Sequence, residues 1–380
     1  MKRNLILTPG PTHVPPHLCA ALGRPIIHHR TPQYQQYLKE VDEGLKYVFQ
    51  TQNDVYIIAS SGTGAMDAAV CNFFSPGDKV ITVEGGKFGE RWTEICKAYG
   101  LEPHIMAVPW GKTVDPAAVQ AVLKKDPDIK AIFTTLCETS TGVRTDIEAL
   151  GKMIAGTDTL LIVDAVSGLG AMDLKTDTWG VDVVAAASHK GLMLPPGLGF
   201  IAVSPKAAAR MESATCPKYY LNLRAYKKAY AKTDTPYTSA INLVVALTES
   251  LKFFKEKGLD HLFGHYARLA RGTRAAAKAL GLSLLADEGC CSNAVTAINI
   301  PQGVDGIKLV KLIRDTYGIT MAGGQAQLKG KIVRIAHMGS LDEYDMLTGI
   351  AVLEKALKEM GYFFQMGAGL AAAQAVFTNQ

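Results

Sequence analysis

Between residues 54 and 203 the sequence alternates short runs of β-branched and small apolar residues with stretches long enough to be helices, and few folds accept that pattern. Strand-like runs fall at 54–60, 78–83, 104–108, 129–136, 160–163, 181–187 and 200–203, and helical stretches at 62–74, 87–99, 115–125 and 146–155 lie between them. Runs that are apolar at every position belong to strands covered on both faces, and two neighbouring parallel strands need a crossover of helix length. The pattern predicts an α/β fold with a parallel sheet between layers of helices. Local signals agree: Asp115 followed by Pro116 is an N-cap with proline in the first helical position, and Ser75-Pro-Gly-Asp78 is a turn.

From about residue 240 the pattern changes to long helical stretches (241–257, 259–280), a strand at 294–300, a helix at 306–317, a strand at 332–336 and a final helix at 342–360. That is an α+β arrangement. A chain of 380 residues also exceeds what one core usually supports. The expected division is an N-terminal arm over 1–20, a large domain over 21–255 and a smaller C-terminal domain over 256–380. The arm carries Thr8-Pro-Gly-Pro-Thr12 and Pro15-Pro16, a proline density that argues for extended chain and against a helix. The hydrophobic tail over 363–377, interrupted by Gly367 and Gly369, reads as a packing or subunit-contact segment.

Composition narrows the function classes. The net charge of +5 is spread along the chain with no long Lys/Arg run, which argues against a nucleic-acid partner. The seven cysteines have no C-x-x-C spacing, so reduced cysteines in a cytoplasmic protein are expected, with no disulfide frame and no zinc knuckle. Only three apolar residues follow the N-terminal Met-Lys-Arg-Asn, too few for a signal-peptide core, and no apolar stretch approaches a membrane span.

In an open parallel sheet, ligands gather at the carboxyl ends of the strands, where helix N-termini also point. After the run at 54–60 comes Ser60-Ser-Gly-Thr-Gly-Ala65, whose small residues and hydroxyls suit a phosphate as well as they suit a plain helix start. After 129–136 comes Cys137-Glu-Thr-Ser-Thr-Gly142, a second cluster of small donors. Asp164 ends the run at 160–163, where a carboxylate needs a cation or several donors. The run at 181–187 ends in Ser188, His189 and Lys190, then breaks at Gly191, Pro195, Pro196 and Gly197. A lone lysine at a strand end ordinarily snorkels to solvent; a desolvated one becomes a nucleophilic amine. Together, a phosphate cradle, a carboxylate and a lysine are the three contacts that pyridoxal phosphate requires for its phosphate, its ring nitrogen and its aldehyde. Phe88, opening the helix after Gly85-Gly-Lys87, is the candidate to lie flat on the ring.

These residues, with Pro9-Gly-Pro11, Tyr47-Val-Phe-Gln-Thr51, Gly86-Lys-Phe-Gly-Glu-Arg91, Glu138-Thr-Ser-Thr-Gly-Val143, Val163-Asp-Ala-Val166, Ser188-His-Lys-Gly191 and Gly330-Lys-Ile-Val-Arg334, carry a resemblance across nearly the whole chain. The sequence resembles the class V, fold-type I pyridoxal-phosphate aminotransferases, and within them the serine–pyruvate/alanine–glyoxylate group. The resemblance implies a mainly parallel seven-stranded sheet between helices, with a smaller C-terminal α+β domain. It implies that Lys190 forms the Schiff base and shuttles the proton, and that Asp164 pairs with the ring nitrogen. Ser61, Gly62 and Thr63 would hold the phosphate with help from His189, while Phe88, Ser140 and Val166 would contact the ring and its oxygen. Thr238, in Pro236-Tyr-Thr-Ser239, would reach the partner subunit's phosphate in a homodimer with sites at the subunit interface, although Thr235 stands where some relatives carry tyrosine. Arg334 would grip the substrate carboxylate with its planar fork, and the backbone at Gly10 and the Ser140 hydroxyl would lie beside the substrate. No metal is implied.

The implied reaction moves an amino group from a small amino acid (serine, alanine or aspartate) to a 2-oxo acid such as glyoxylate or pyruvate in two half-reactions. Rival readings are a lyase or a cysteine desulfurase of the same fold, for which Cys290-Cys291 is the only pair to carry persulfide, and a non-catalytic subunit that keeps the fold. A nicotinamide dehydrogenase is weaker still, because Gly62-x-Gly64-x-x-Asp67 lacks the third glycine. His28 and His29 either line the site entrance or pack.

Overall fold

In the computed structural model, which describes residues 4–378, the strand ends that carry the candidate chemistry all lie along one edge of a single sheet. The chain begins with β1 (Leu5–Ile6), α1 (Pro16–Leu22) and α2 (Pro32–Phe49). It continues through β2 (Asp54–Ile58), α3 (Gly62–Cys71), β3 (Lys79–Glu84), α4 (Lys87–Ala98), β4 (Glu102–Ala107) and α5 (Pro116–Lys125). Next come β5 (Ala131–Thr135), the hairpin of β6 (Cys137–Glu138) and β7 (Val143–Arg144), α6 (Ile147–Ile154), β8 (Leu160–Asp164), β9 (Val183–Ala187) and β10 (Gly199–Val203).

The seven-stranded sheet has the order β2-β10-β9-β8-β5-β3-β4. All its pairs are parallel except those of β10, which runs antiparallel to both β2 and β9. The reversal follows from chain length: only residues 188–198 join β9 to β10, too few for a helical crossover. Alternate residues of each strand enter two different apolar cores. Val55, Ile132, Leu161, Val163, Val184 and Phe200 point to one face, and Tyr56, Phe133, Leu160, Ile162, Ala185 and Ile201 to the other. Two covered faces are why these runs are apolar at every position.

The second half supplies α7 (Pro205–Arg210), α8 (Leu223–Tyr230), α9 (Ile241–Lys257), α10 (Leu259–Ala279), β11 (Val295–Asn299), α11 (Gly306–Tyr317), β12 (Ile319–Thr320), β13 (Ala322–Gly323), β14 (Ile332–Ala336), α12 (Glu343–Glu359) and α13 (Ala368–Thr378). β11, β14 and β13 form a three-stranded antiparallel sheet. β1 pairs with β12 in parallel, so the N-terminal segment is tied to the C-terminal half of the chain. No helix among the described residues is long and apolar enough to cross a membrane.

Two sequence expectations need correction. The proline-rich arm does contain a helix, α1, because Pro16 stands at its first position, where a missing N–H costs nothing. The helix ending at Glu359 is not the last: the hydrophobic tail folds as α13, which packs on α10 with Phe377 seated against Gly272. Glu354 on α12 accepts from the amides of Gly367 (2.6 Å) and Leu370 (3.0 Å) and so satisfies the start of that last helix. Short helices α7 and α8 also lie in stretches with no strong sequence signal.

Helix α6 lies so close to the chain before β9 that a Cβ on Gly151 would run into the Trp179 carbonyl oxygen. Gly151→Ala is expected to destabilise the protein by about 3 kcal/mol through this clash with backbone that cannot step aside, read as a lowered thermal midpoint.

Candidate active site

Lys190 follows β9 in a loop that is closed on itself. Ser188 pairs its amide with the Leu198 carbonyl (3.0 Å), its hydroxyl donates to the Pro195 carbonyl (2.7 Å), and its own carbonyl accepts from Leu194 (3.1 Å). The lysine is only 8% exposed. Its ammonium donates to the Pro9 carbonyl and lies 3.4 Å from the Ser167 hydroxyl. Thr12 clamps the same turn from the N-terminal segment, its hydroxyl donating to the Lys190 carbonyl (2.9 Å) and its amide to the His189 carbonyl (3.2 Å). Gly10, at φ +109°, is required here, since a Cβ would stand 2.6 Å from Nζ. Burial pushes the amine down to about 8, with the charges of Asp164 and Cys137 opposing and those of Arg334 and Arg91 assisting.

Asp164 ends β8, the neighbour of β9, and is 5% exposed. Its carboxylate accepts one hydrogen bond, from the amide of Val166 (2.8 Å). Burial, with Glu138 nearby, pushes the carboxyl up to about 6, while the Val166 amide, Lys190 and Arg91 pull the other way.

On the other side of β9 and β10, α3 starts at Gly62 after Ser61, whose exposed side chain makes no cap. Within the described residues the amides of Gly62, Thr63 and Gly64 have no hydrogen-bond partner, an arrangement that suits an anion. Gly62 packs against Val166, and a Cβ there would sit 2.7 Å from the valine methyl. His189 adds a buried Nδ1 without a partner, and burial pushes its imidazole down to about 4, so the ring is neutral.

The third group hangs from α4 and the β6–β7 hairpin. Phe88 is half-buried, with the Arg91 guanidinium 4.8 Å from its ring centre, and Arg91 also donates to the Thr63 hydroxyl (3.3 Å). The buried Ser140 hydroxyl donates to Glu138 (2.6 Å) and accepts the Lys87 amide (3.1 Å). Glu138 was not a sequence candidate, yet its carboxylate also accepts from the amides of Phe88 (3.0 Å) and Gly89 (2.9 Å). The available signal was a glutamate inside an otherwise buried stretch of small residues.

Arg334 reaches the same place from β14. Its Nε and Nη2 donate to the Gly323 carbonyl (3.0 and 2.8 Å) and Nη1 to the Thr139 carbonyl (2.8 Å). Two of its five N–H groups are left for a ligand. Burial lowers the guanidinium to about 10, against the pull of Glu138.

The structure thus brings together Gly10, Gly62, Thr63, Phe88, Ser140, Asp164, Val166, His189, Lys190 and Arg334, with Ser61 at the rim. Thr238 is apart: it is exposed, in the segment before α9, with no contact to Lys190 or Asp164. His28 is exposed and His29 half-buried, their rings 4.7 Å apart, and Arg30 beside them pairs with Asp234. Cys290 and Cys291 lie at a short 3-10 turn, each sulfur against backbone carbonyls, and burial pushes both thiols up. A persulfide carrier needs the opposite, an exposed thiol of low pKa.

With ordinary carboxyl behaviour in the unfolded chain (3.8) and about 6 in the fold, Asp164 holds a proton in the native state over a window where the unfolded state has released it. Stability must fall as pH rises through that window. In cofactor-free protein, Asp164→Asn should remove the fall and gain up to about 3 kcal/mol at neutral pH, with no gain below pH ~4, as read from urea midpoints across the range.

The aminotransferase class-V family model matches residues 17–340. A Synechococcus protein named soluble hydrogenase, small subunit, is 44% identical, with 99% of each chain covered. The L-aspartate–glyoxylate aminotransferase of Paracoccus denitrificans is 38% identical over 98% of this chain and 96% of its own. The crystal structure of ureidoglycine–glyoxylate aminotransferase from Bacillus subtilis superposes with a TM-score of 0.96 at 29% identity, covering 100% of this chain and 99% of that one.

Proposed function

The chain belongs to the class-V aminotransferases, and from that membership we propose that it moves the amino group of a small amino acid to a 2-oxo acid using pyridoxal phosphate held at Lys190. The observation that carries the reading is the meeting, at one edge of the sheet, of a buried amine, a buried carboxylate, three unpartnered helix amides and an arginine with two free N–H groups. These residues fit the cofactor. The α3 amides and the orphan His189 nitrogen suit its phosphate, Phe88 suits a flat ring, and a side chain on Gly62 or Gly10 would displace Val166 or Lys190 from the places they hold beside it. When bound, the group supplies the electron sink that lets an amino acid lose its α-proton.

Each of the chain's own residues then has a task. Lys190, its amine made accessible near neutral pH by burial, holds and moves a proton at Nζ. Asp164, as an anion, would favour a protonated ring nitrogen; with a cation beside it, the carboxyl would fall back toward its ordinary range. Arg334 orients the substrate through its carboxylate, and the Thr8–Thr12 segment covers Lys190 from solvent. Two relatives named for glyoxylate support a short 2-oxo acid as acceptor. Serine, alanine and aspartate are the donors to try. A non-catalytic subunit, the reading that a hydrogenase name invites, would have no use for four buried ionisable groups that burial alone disfavours.

The same proposal includes a homodimer in which the exposed Thr238 serves the partner's phosphate site. It also includes a cytoplasmic setting that keeps the cysteines reduced, and the division into an arm (1–20), a large domain (21–255) and a smaller one (256–380).

The deciding test is Lys190→Ala, which should cost turnover about a thousandfold or more and abolish the visible absorbance that pyridoxal phosphate gives with the unsubstituted protein. A yellow, active variant would end the proposal. Arg334→Lys should leave that absorbance in place and raise KM by about tenfold or more for every donor and acceptor alike, because lysine cannot supply the fork. A panel of the three donors against glyoxylate, pyruvate and 2-oxoglutarate measures this and ranks the substrates together.

A further inference from the structure

Glu138 has no task in the reaction as laid out, yet more of the site hangs on it than on any other side chain. It is 4% exposed, and both carboxylate oxygens are occupied by donors. Oε2 accepts the amides of Phe88 (3.0 Å) and Gly89 (2.9 Å); Oε1 accepts the Ser140 amide (3.1 Å) and hydroxyl (2.6 Å). All four partners donate as the site is arranged, which matches a carboxylate anion; burial pushes the carboxyl up, and the bonds from Ser140, Gly89 and Phe88 pull it back. The fit is close: a Cβ on Gly86 would sit 2.4 Å from the Ser140 hydroxyl and 2.5 Å from the Glu138 carboxyl carbon. The next residue, Thr139, gives its carbonyl to Arg334 Nη1 (2.8 Å), which ties the arginine to the same turn, and the glutamate's charge acts on the guanidinium against the effect of burial.

We propose that Glu138 is a positioning residue that, as a buried anion, holds the Phe88 segment and the Ser140 hydroxyl in place and tempers the attraction of Arg334 for substrate carboxylates. The inference rests on the aminotransferase reading. It makes two claims of opposite sign. Loss of positioning weakens cofactor binding and slows turnover. Loss of the negative charge leaves Arg334 less neutralised, so carboxylate substrates bind more tightly. A glutamate with a merely structural role would loosen everything together.

Glu138→Gln keeps the shape and removes the charge. In titrations of the cofactor-free protein it should weaken pyridoxal-phosphate binding on the order of tenfold, and in steady-state assays lower kcat by a similar factor. KM for the 2-oxo acid should fall by about threefold. Gly86→Ala keeps every charge but pushes a methyl group against the Glu138 carboxylate and the Ser140 hydroxyl bonded to it; it should weaken cofactor binding and kcat without lowering KM. Unchanged cofactor affinity in Glu138→Gln, or a KM that fails to fall there, overturns the inference. Should Glu138→Gln not accumulate as folded protein, Gly86→Ala decides, and cofactor binding left intact by it counts against Glu138. A wild-type protein that neither binds pyridoxal phosphate nor transaminates would sink the functional reading itself, whereas an active wild type beside an unaltered Glu138→Gln sinks only this inference.

Discussion

Two cations and two carboxylates buried side by side are the constraint on which this structure turns. Lys190, Arg334, Asp164 and Glu138 are each withdrawn from water, and any one alone would be a serious liability. Together they balance in charge. They do so without collapsing into ion pairs: among the described residues no salt bridge joins them. Lys190 donates to a proline carbonyl and a serine, Arg334 to two backbone carbonyls, Asp164 accepts one amide and Glu138 four donors. Backbone groups hold the charges at fixed separations, so the field of each remains available to a ligand. A direct Lys–Asp contact would be more comfortable and less useful, because a substrate would first have to break it.

The parallel sheet is what makes such an assembly possible. β8, β9, β5 and β3 end on the same edge, so residues far apart in sequence arrive together with no loop reaching far. The antiparallel β10 matters too. By turning back at once, the chain after Lys190 becomes a short closed loop, pinned by Ser188 at three points, and the lysine inherits that rigidity.

Much of this was legible in the sequence. The strands of the sheet other than the exposed edge strand β4 announce themselves because both faces are buried, and Asp164 and Lys190 stand out because each interrupts an apolar run at its end. What escaped follows one physical pattern. α1 was hidden because proline forbids a helix interior but not its first residue. Helices α7 and α8 are short and owe their existence to caps, Ser204 and Asn222, more than to any periodicity. Glu138 was invisible as a hub because two of its four partners are backbone amides 49 and 50 residues away, and an amide leaves no mark in a sequence. Thr238 is the reverse case: its residue type and its motif are plain, yet in the folded chain it stands exposed and apart from Lys190 and Asp164.

The Pro9 carbonyl that receives the Lys190 amine belongs to a segment whose strand, β1, is zipped to β12, and Lys190 lies 181 positions from Pro9. A growing polypeptide therefore has the lysine and its sheet in hand well before residues 319 and 320 exist to anchor the cover above them. The cover over the reactive nitrogen is thus a contact between the two ends of the chain, held by β12, by the Ala336 amide on the Leu7 carbonyl (2.8 Å) and by Thr12 on the Lys190 turn.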